Sequence, residues 1–143
     1  MGDAGPGSRA AVIAIDTSVL VRYLVGTPAV EAGAAARLID DDGEVIGISP
    51  VVLVETAHVL RTQYGVARER VLDELIGVIQ RENVQLLGSR TEPVLEMLVQ
   101  ARSMPGRPIP DALIIAAAMG ADAAALATFD RGQARYGFPV ERP

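Results

Sequence analysis

Apolar and polar positions follow one another in blocks that predict a repeating strand–helix order. Residues 11–15 (AVIAI) form a short apolar run ended by Asp16. Such a run, bounded by a polar turn, reads as a buried strand of a parallel sheet. Thr17–Val25 then places Val19, Leu20, Tyr23 and Leu24 on one helical face, and Gly26 ends the helix. Thr27 and Pro28 read as an N-cap followed by proline at the first helical position. The helix they open runs through Ile39, with Ala32, Ala35, Ala36 and Ile39 on one side. Asp40, Asp41, Asp42 and Gly43 close it as a solvated exit, to which no function is assigned. Residues 44–48 are a second strand, and Ser49–Pro50 repeats the cap-and-proline signal for a long helix to Tyr64–Gly65.

Residues 67–81 carry Val71, Leu72, Leu75, Val78 and Ile79 at helical spacing. Residues 83–87 are a third strand, and a helix runs from Thr91 through Ser103. Two prolines and a glycine make residues 104–109 a loop. Pro110 starts a short, nearly all-apolar helix ending at Gly120. Residues 123–128 are a fourth strand, 129–136 a loop or short helix, and 138–141 a last edge strand. Alternation of this kind predicts an α/β domain of three layers. A mostly parallel sheet of four to five strands lies between helices on both faces.

Length and composition narrow the picture. At 143 residues the chain is one domain, residues 10–143, preceded by a Gly-, Pro- and Ser-rich stretch, residues 1–9, expected to be a flexible lead-in. That stretch lacks the basic and apolar regions of a signal peptide. Half the residues are hydrophobic but only 3% are aromatic, so the core must be aliphatic. Mean hydropathy is +0.29, yet no run approaches the ~18 apolar residues that a membrane span requires. No membrane association is expected. The absence of cysteine excludes disulfides and thiolate metal sites, and fits a reducing compartment such as the cytoplasm. All 13 basic residues are arginines, which excludes chemistry that needs a Schiff-base or phosphate-loop lysine. A net charge of −5 argues against nucleic-acid binding through a broad basic surface. It leaves room for a local arginine patch, or for an acidic cluster neutralised by bound cations.

Four carboxylates stand out. Asp16 leaves the first strand, where ligands of open α/β sheets bind; it can equally cap the helix that follows. Glu55 lies in SPVVLVETAHVL, with Val51, Val52 and Val59 as helical neighbours. A carboxylate on so apolar a face is costly unless it is paired, for example with Arg22 or Arg61, protonated, or bound to a cation. Asp111 is the one charge in IPDALIIAAAMG, in a first turn where it also complements the helix dipole. Asp130 follows the fourth strand in LATFDRG, and can also be an ordinary turn aspartate. If the strands are neighbours, all four acids converge at one edge of the sheet. Four carboxylates that close cannot all stay ionised unaided. A hard divalent cation resolves the conflict, and oxygen-only ligation selects Mg²⁺ or Mn²⁺. Such an ion activates water and stabilises a phosphoryl group during in-line displacement. Thr17, Ser18 and Thr128 can supply supporting hydroxyls.

The order IDTSVLVRYL, ISPVVLVETAHVL, IPDALIIAAA and LATFDRG resembles the PIN-domain proteins over about residues 11–141. Among these it is most similar to the ribonuclease toxins of bacterial VapBC toxin–antitoxin pairs. The resemblance implies a parallel sheet of about five strands with flanking helices. It implies an endoribonuclease whose Mg²⁺ or Mn²⁺ is held by Asp16, Glu55, Asp111 and Asp130. Ser18 matches the Asn or Ser often found two positions after the first acid. A small antitoxin partner and a homodimer are implied as well. The apolar faces at Tyr23–Leu24 and Val59–Leu60 could meet a partner, although core packing is their simpler use.

Candidates for RNA contact are arginines near the motifs: Arg22, Arg61, Arg107 and Arg131. His58, one turn beyond Glu55, reads as packing or as a supporting contact rather than a base. Actin-like ATPases call for a hairpin and a Gly-rich phosphate loop after AIDTS, where this chain continues as helix-like VLVRYLVG. Haloacid-dehalogenase phosphatases need a second Asp where Ser18 stands and a later lysine, and receiver domains need lysine too. The non-enzyme alternative is a catalytically silent PIN fold that binds RNA or protein.

Overall fold

The computed structural model describes residues 11–143; the expected lead-in, residues 1–9, lies outside the described residues. Five strands and six α-helices alternate much as the apolar pattern predicts. They are β1 (Val12–Ala14), α1 (Thr17–Val25), α2 (Ala29–Ala36), β2 (Val45–Ile48), α3 (Pro50–Thr62), α4 (Arg68–Ile79), β3 (Val84–Leu86), α5 (Thr91–Arg102), α6 (Ile109–Gly120), β4 (Leu126–Ala127) and β5 (Val140–Glu141). A π-helical turn, Arg37–Asp41, prolongs α2, and a 3₁₀ helix, Arg131–Tyr136, joins β4 to β5.

The strands β1, β2 and β3 form a parallel sheet in that order, with Ile13 opposite Ile46 and Gly47 opposite Gln85. The expected single sheet of four to five strands is divided. β4 pairs in parallel with β5 as a separate two-stranded sheet, Leu126 opposite Val140. Alanine favours strands weakly, and of the alanine-rich residues 123–128 only Leu126 and Ala127 join a ladder. With no β4 ladder beside it, β1 is not the buried strand its composition suggests. Val12 and Ile13 stay 38% and 37% exposed, and burial begins at Ile15.

The core is aliphatic. Leu20, Ile46, Ile48, Leu53, Leu72, Leu75, Leu98 and Ile115 are fully buried, and α5 and α6 pack closely against each other. At Gly47 the side chains of Leu87 and Val12 close over the strand and leave no room for another. An added Cβ would sit 2.7 Å from Leu87 Cδ2 and 2.8 Å from Val12 Cγ1.

Local signals mostly give the helix ends. Ser49 Oγ accepts the Val52 N–H at 3.3 Å, with Pro50 in the first turn of α3. At α2 the expectation shifts by one residue. Pro28 itself is the N-cap, in extended geometry after a cis Thr27–Pro28 bond, and no side chain caps the helix. The acidic exit after α2 is not wholly solvated. Asp40 accepts a hydrogen bond from the Tyr23 hydroxyl at 2.8 Å and forms an ion pair with Arg81 at 2.9 Å, tying α1 to the end of α4.

Candidate active site

Asp16 is both the strand-end acid and the helix cap. Its Oδ1 accepts the Ser18 hydroxyl at 2.6 Å and the Val19 N–H at 3.2 Å. Capping uses only one of its oxygens among the described residues, so Oδ2 is left for another partner. The Ser18 hydroxyl, then the Val19 N–H, hold the Asp16 carboxyl below the usual aspartate pKa.

Thr17 links this corner to the second acid by donating its hydroxyl to Glu55 Oε1 at 2.8 Å. Neither Arg22 nor Arg61 pairs with Glu55. Arg22 binds Glu31 at 3.0 Å and the Ser18 carbonyl at 3.2 Å. The expected cost of Glu55 on an apolar face also disappears. Helix α3 buries Val52 and packs Val59 partly against the core, but leaves Glu55 exposed and Val51 66% exposed.

The other two acids meet around one cation. Arg107, four residues before Asp111, donates Nη2 to Asp111 Oδ2 at 2.7 Å and to Asp130 Oδ2 at 3.2 Å. The side chains of Arg107 and Asp111 are each only 16% exposed. Burial pushes the Asp111 pKa up, against the pull of Arg107, and the neighbouring charge of Asp130 adds to the rise. Asp130 shifts the other way. Its Oδ1 accepts the Gly132 N–H at 2.8 Å, which with Arg107 stabilises the ionised form. Burial works against the charge of Arg107, but Asp130 and Asp111 outweigh it and raise its pKa. Thr128 fixes this turn by accepting the Asp130 N–H on its hydroxyl at 2.9 Å.

The acids thus stand as two pairs rather than one cluster. Among the described residues, no three Asp, Glu or His side chains come close enough to hold a metal ion. No ladder joins β1 to β4, the arrangement that would have brought the acids to one edge of the sheet.

Three arrangements have little sequence signature. Arg107, read as an RNA contact, is committed to two acids. Arg68, the first residue of α4, is buried at 8% exposure and donates Nε to the Arg107 carbonyl at 2.9 Å. Gly132 leaves the space that the Arg107 guanidinium fills. The proline-bounded loop before Asp111 hints that residues 104–108 hold a fixed shape, but not which acids Arg107 meets. Arg61 and Arg131 are exposed and make no ion pair among the described residues. His58 is exposed rather than packed, and lines a cleft of about 420 Å³ with Val54, Arg61 and Pro108. At the proposed partner faces, Leu60 is buried while Tyr23, Leu24 and Val59 pack partly against the core.

The donor chemistry suits a hard divalent cation: carboxylates and hydroxyls, with neither thiolate nor imidazole among the candidates. Arg107 is the stand-in cation that shows Asp111 and Asp130 facing one positive group. No helix is long and apolar enough to cross a membrane among the described residues. Compared with known proteins, the chain matches no curated protein and no solved structure. Residues 13–139 match the model of the PIN domain, from within β1 to the residue before β5. PIN domains are generally metal-dependent nucleases. With that match over nearly all the described residues, on an α/β fold of parallel strands and flanking helices, the chain belongs to the PIN domain family.

Proposed function

We propose that the protein is a metal-dependent endoribonuclease, the toxin of a VapBC-type toxin–antitoxin pair, acting in the cytoplasm. Asp16, Glu55, Asp111 and Asp130 are its site acids. The observation that carries this reading is the Asp111–Arg107–Asp130 group: two carboxylates from separate elements turned toward a single cation. A bound Mg²⁺ or Mn²⁺ supplies water activation and charge neutralisation at the scissile phosphate.

The chain's own residues do the rest. Asp16 is kept ionised by Ser18 and Val19 with one oxygen unused. Thr17 orients Glu55, and Thr128 with Gly132 sets the Asp130 carboxylate. Arg61 and Arg131 offer exposed positive charge for an RNA backbone. A net charge of −5 restrains indiscriminate binding and favours a narrow RNA target. A small antitoxin and a second copy of the chain are the partners of the same reading. A groove of about 520 Å³ lined by Leu24, Leu60, Tyr64 and Val66 offers apolar surface to either.

The test is cleavage of a labelled RNA panel that includes transfer RNAs, with Mg²⁺, Mn²⁺ or EDTA, beside Asp16→Asn. Cutting that requires both metal and Asp16 is expected. Equal cutting by Asp16→Asn, or in EDTA, would overturn the site. RNA bound but uncut by folded protein would instead favour the silent binding module.

A further inference from the structure

We propose that Arg107 is a resident counter-cation that a divalent ion must displace, so the Asp111–Asp130 seat is latched by the chain itself. The inference rests on the metal-dependent reading above and concerns the regulation of that site. Three observations carry it.

The Arg107 guanidinium bridges both carboxylates with one nitrogen, at 2.7 Å and 3.2 Å, and so occupies one oxygen of each. The arginine is held in place from behind, because buried Arg68 grips its backbone carbonyl at 2.9 Å. The seat also depends on a missing side chain. A Cβ on Gly132 would lie 2.5 Å from Arg107 Cζ and 2.8 Å from Nη2, with Nη1 nearer still. The guanidinium and a metal ion would compete for that point, since both are positive and drawn to the same two carboxylates. Ion affinity is therefore reduced by the fraction of molecules in which Arg107 has swung away.

Two variants open the latch by different routes. Gly132→Ala keeps every charge but evicts the guanidinium. Gly132 has no left-handed backbone, and the clash is with the far end of a flexible side chain. Arg107→Gln removes the positive group. Mn²⁺ binding is measured by calorimetry on all three proteins, with unfolding midpoints recorded with and without Mn²⁺ to show that each is folded.

Both variants are expected to bind Mn²⁺ about tenfold more tightly or better, corresponding to an open fraction of about a tenth in the native protein. Mn²⁺ should also raise their midpoints more than the native one. A purely structural ion pair would lower the midpoint of Arg107→Gln without any gain in Mn²⁺ affinity. Equal or weaker binding by both variants overturns the latch and leaves the metal-dependent reading standing. Absence of Mn²⁺ binding in all three overturns that reading as well.

Discussion

Replacing Gly47 by alanine tests whether β1, and with it Asp16, is seated as described. The new Cβ would lie 2.7 Å and 2.9 Å from Leu87 Cδ2 and Cγ, and 2.8 Å from Val12 Cγ1. Carbon atoms in good contact sit about 3.5–4.0 Å apart, so the methyl intrudes by roughly 1 Å on two sides. Overpacking of this kind costs about 1–3 kcal/mol. Both neighbours are side chains, and Val12 is 38% exposed, so part of the clash relaxes and the cost falls to about 1–2 kcal/mol. Opposing it, alanine restricts the unfolded chain and returns about 0.4–1 kcal/mol.

The clash wins, with a net loss of about 1 kcal/mol and a urea midpoint lower by about 0.5 M for a slope near 2 kcal/mol/M. Gly77 is the control. It lies within α4 with nothing near its would-be Cβ. Gly77→Ala should therefore stabilise by about 0.5–1 kcal/mol. RNA cleavage should fall in Gly47→Ala alone, because Val12 and the Ile15 N–H bond to the Gly47 carbonyl, at 3.0 Å, lead directly to Asp16. An unchanged or raised midpoint for Gly47→Ala would refute the close packing of Val12 and Leu87 over β2.

Thr17→Val keeps the shape of the residue but deletes the donor to Glu55 Oε1. RNA cleavage should drop about 10–100-fold while stability changes by less than about 1 kcal/mol; unaltered cleavage would remove Thr17 from the site. Asp111→Asn should change how stability depends on pH. The folded-state pKa of Asp111 is raised above 3.8, so the native protein holds a proton that the unfolded chain releases. The stabilising protonated form is lost as pH rises from 3.8 through that raised pKa, and native protein should lose stability relative to the variant across this window. Urea unfolding at pH 3.5 and pH 6.5 checks the sign, and a native protein that gains on the variant would contradict it.

Most elements were legible because their signals are local. Caps, prolines and apolar periods lie within a few residues, and Ser49–Pro50 or the apolar stripe of α4 needs nothing distant to be read. The acids themselves were also visible, as carboxylates in apolar stretches or at strand ends. What each acid touches was not. The apolar neighbours of Glu55 suggested a costly carboxylate, but only the packing of α3 showed that Glu55 itself stays exposed beside buried Val52. The exposure of His58, which rules out core packing, is likewise set by how α3 is seated.

The sequence by itself determined the strand–helix order, the aliphatic core, the four candidate acids and the kinship to a fold family. Each is a property of residue type and short spacing. Only the tertiary structure decided that β4 and β5 stand apart from the main sheet, that the acids fall into two pairs, and that Arg107 occupies the space between Asp111 and Asp130. Those outcomes depend on ladder hydrogen bonds between distant segments, and on one glycine 25 residues away that leaves room for a guanidinium. Such contacts are chosen by competition among all possible partners in space, and no short window of sequence contains that competition.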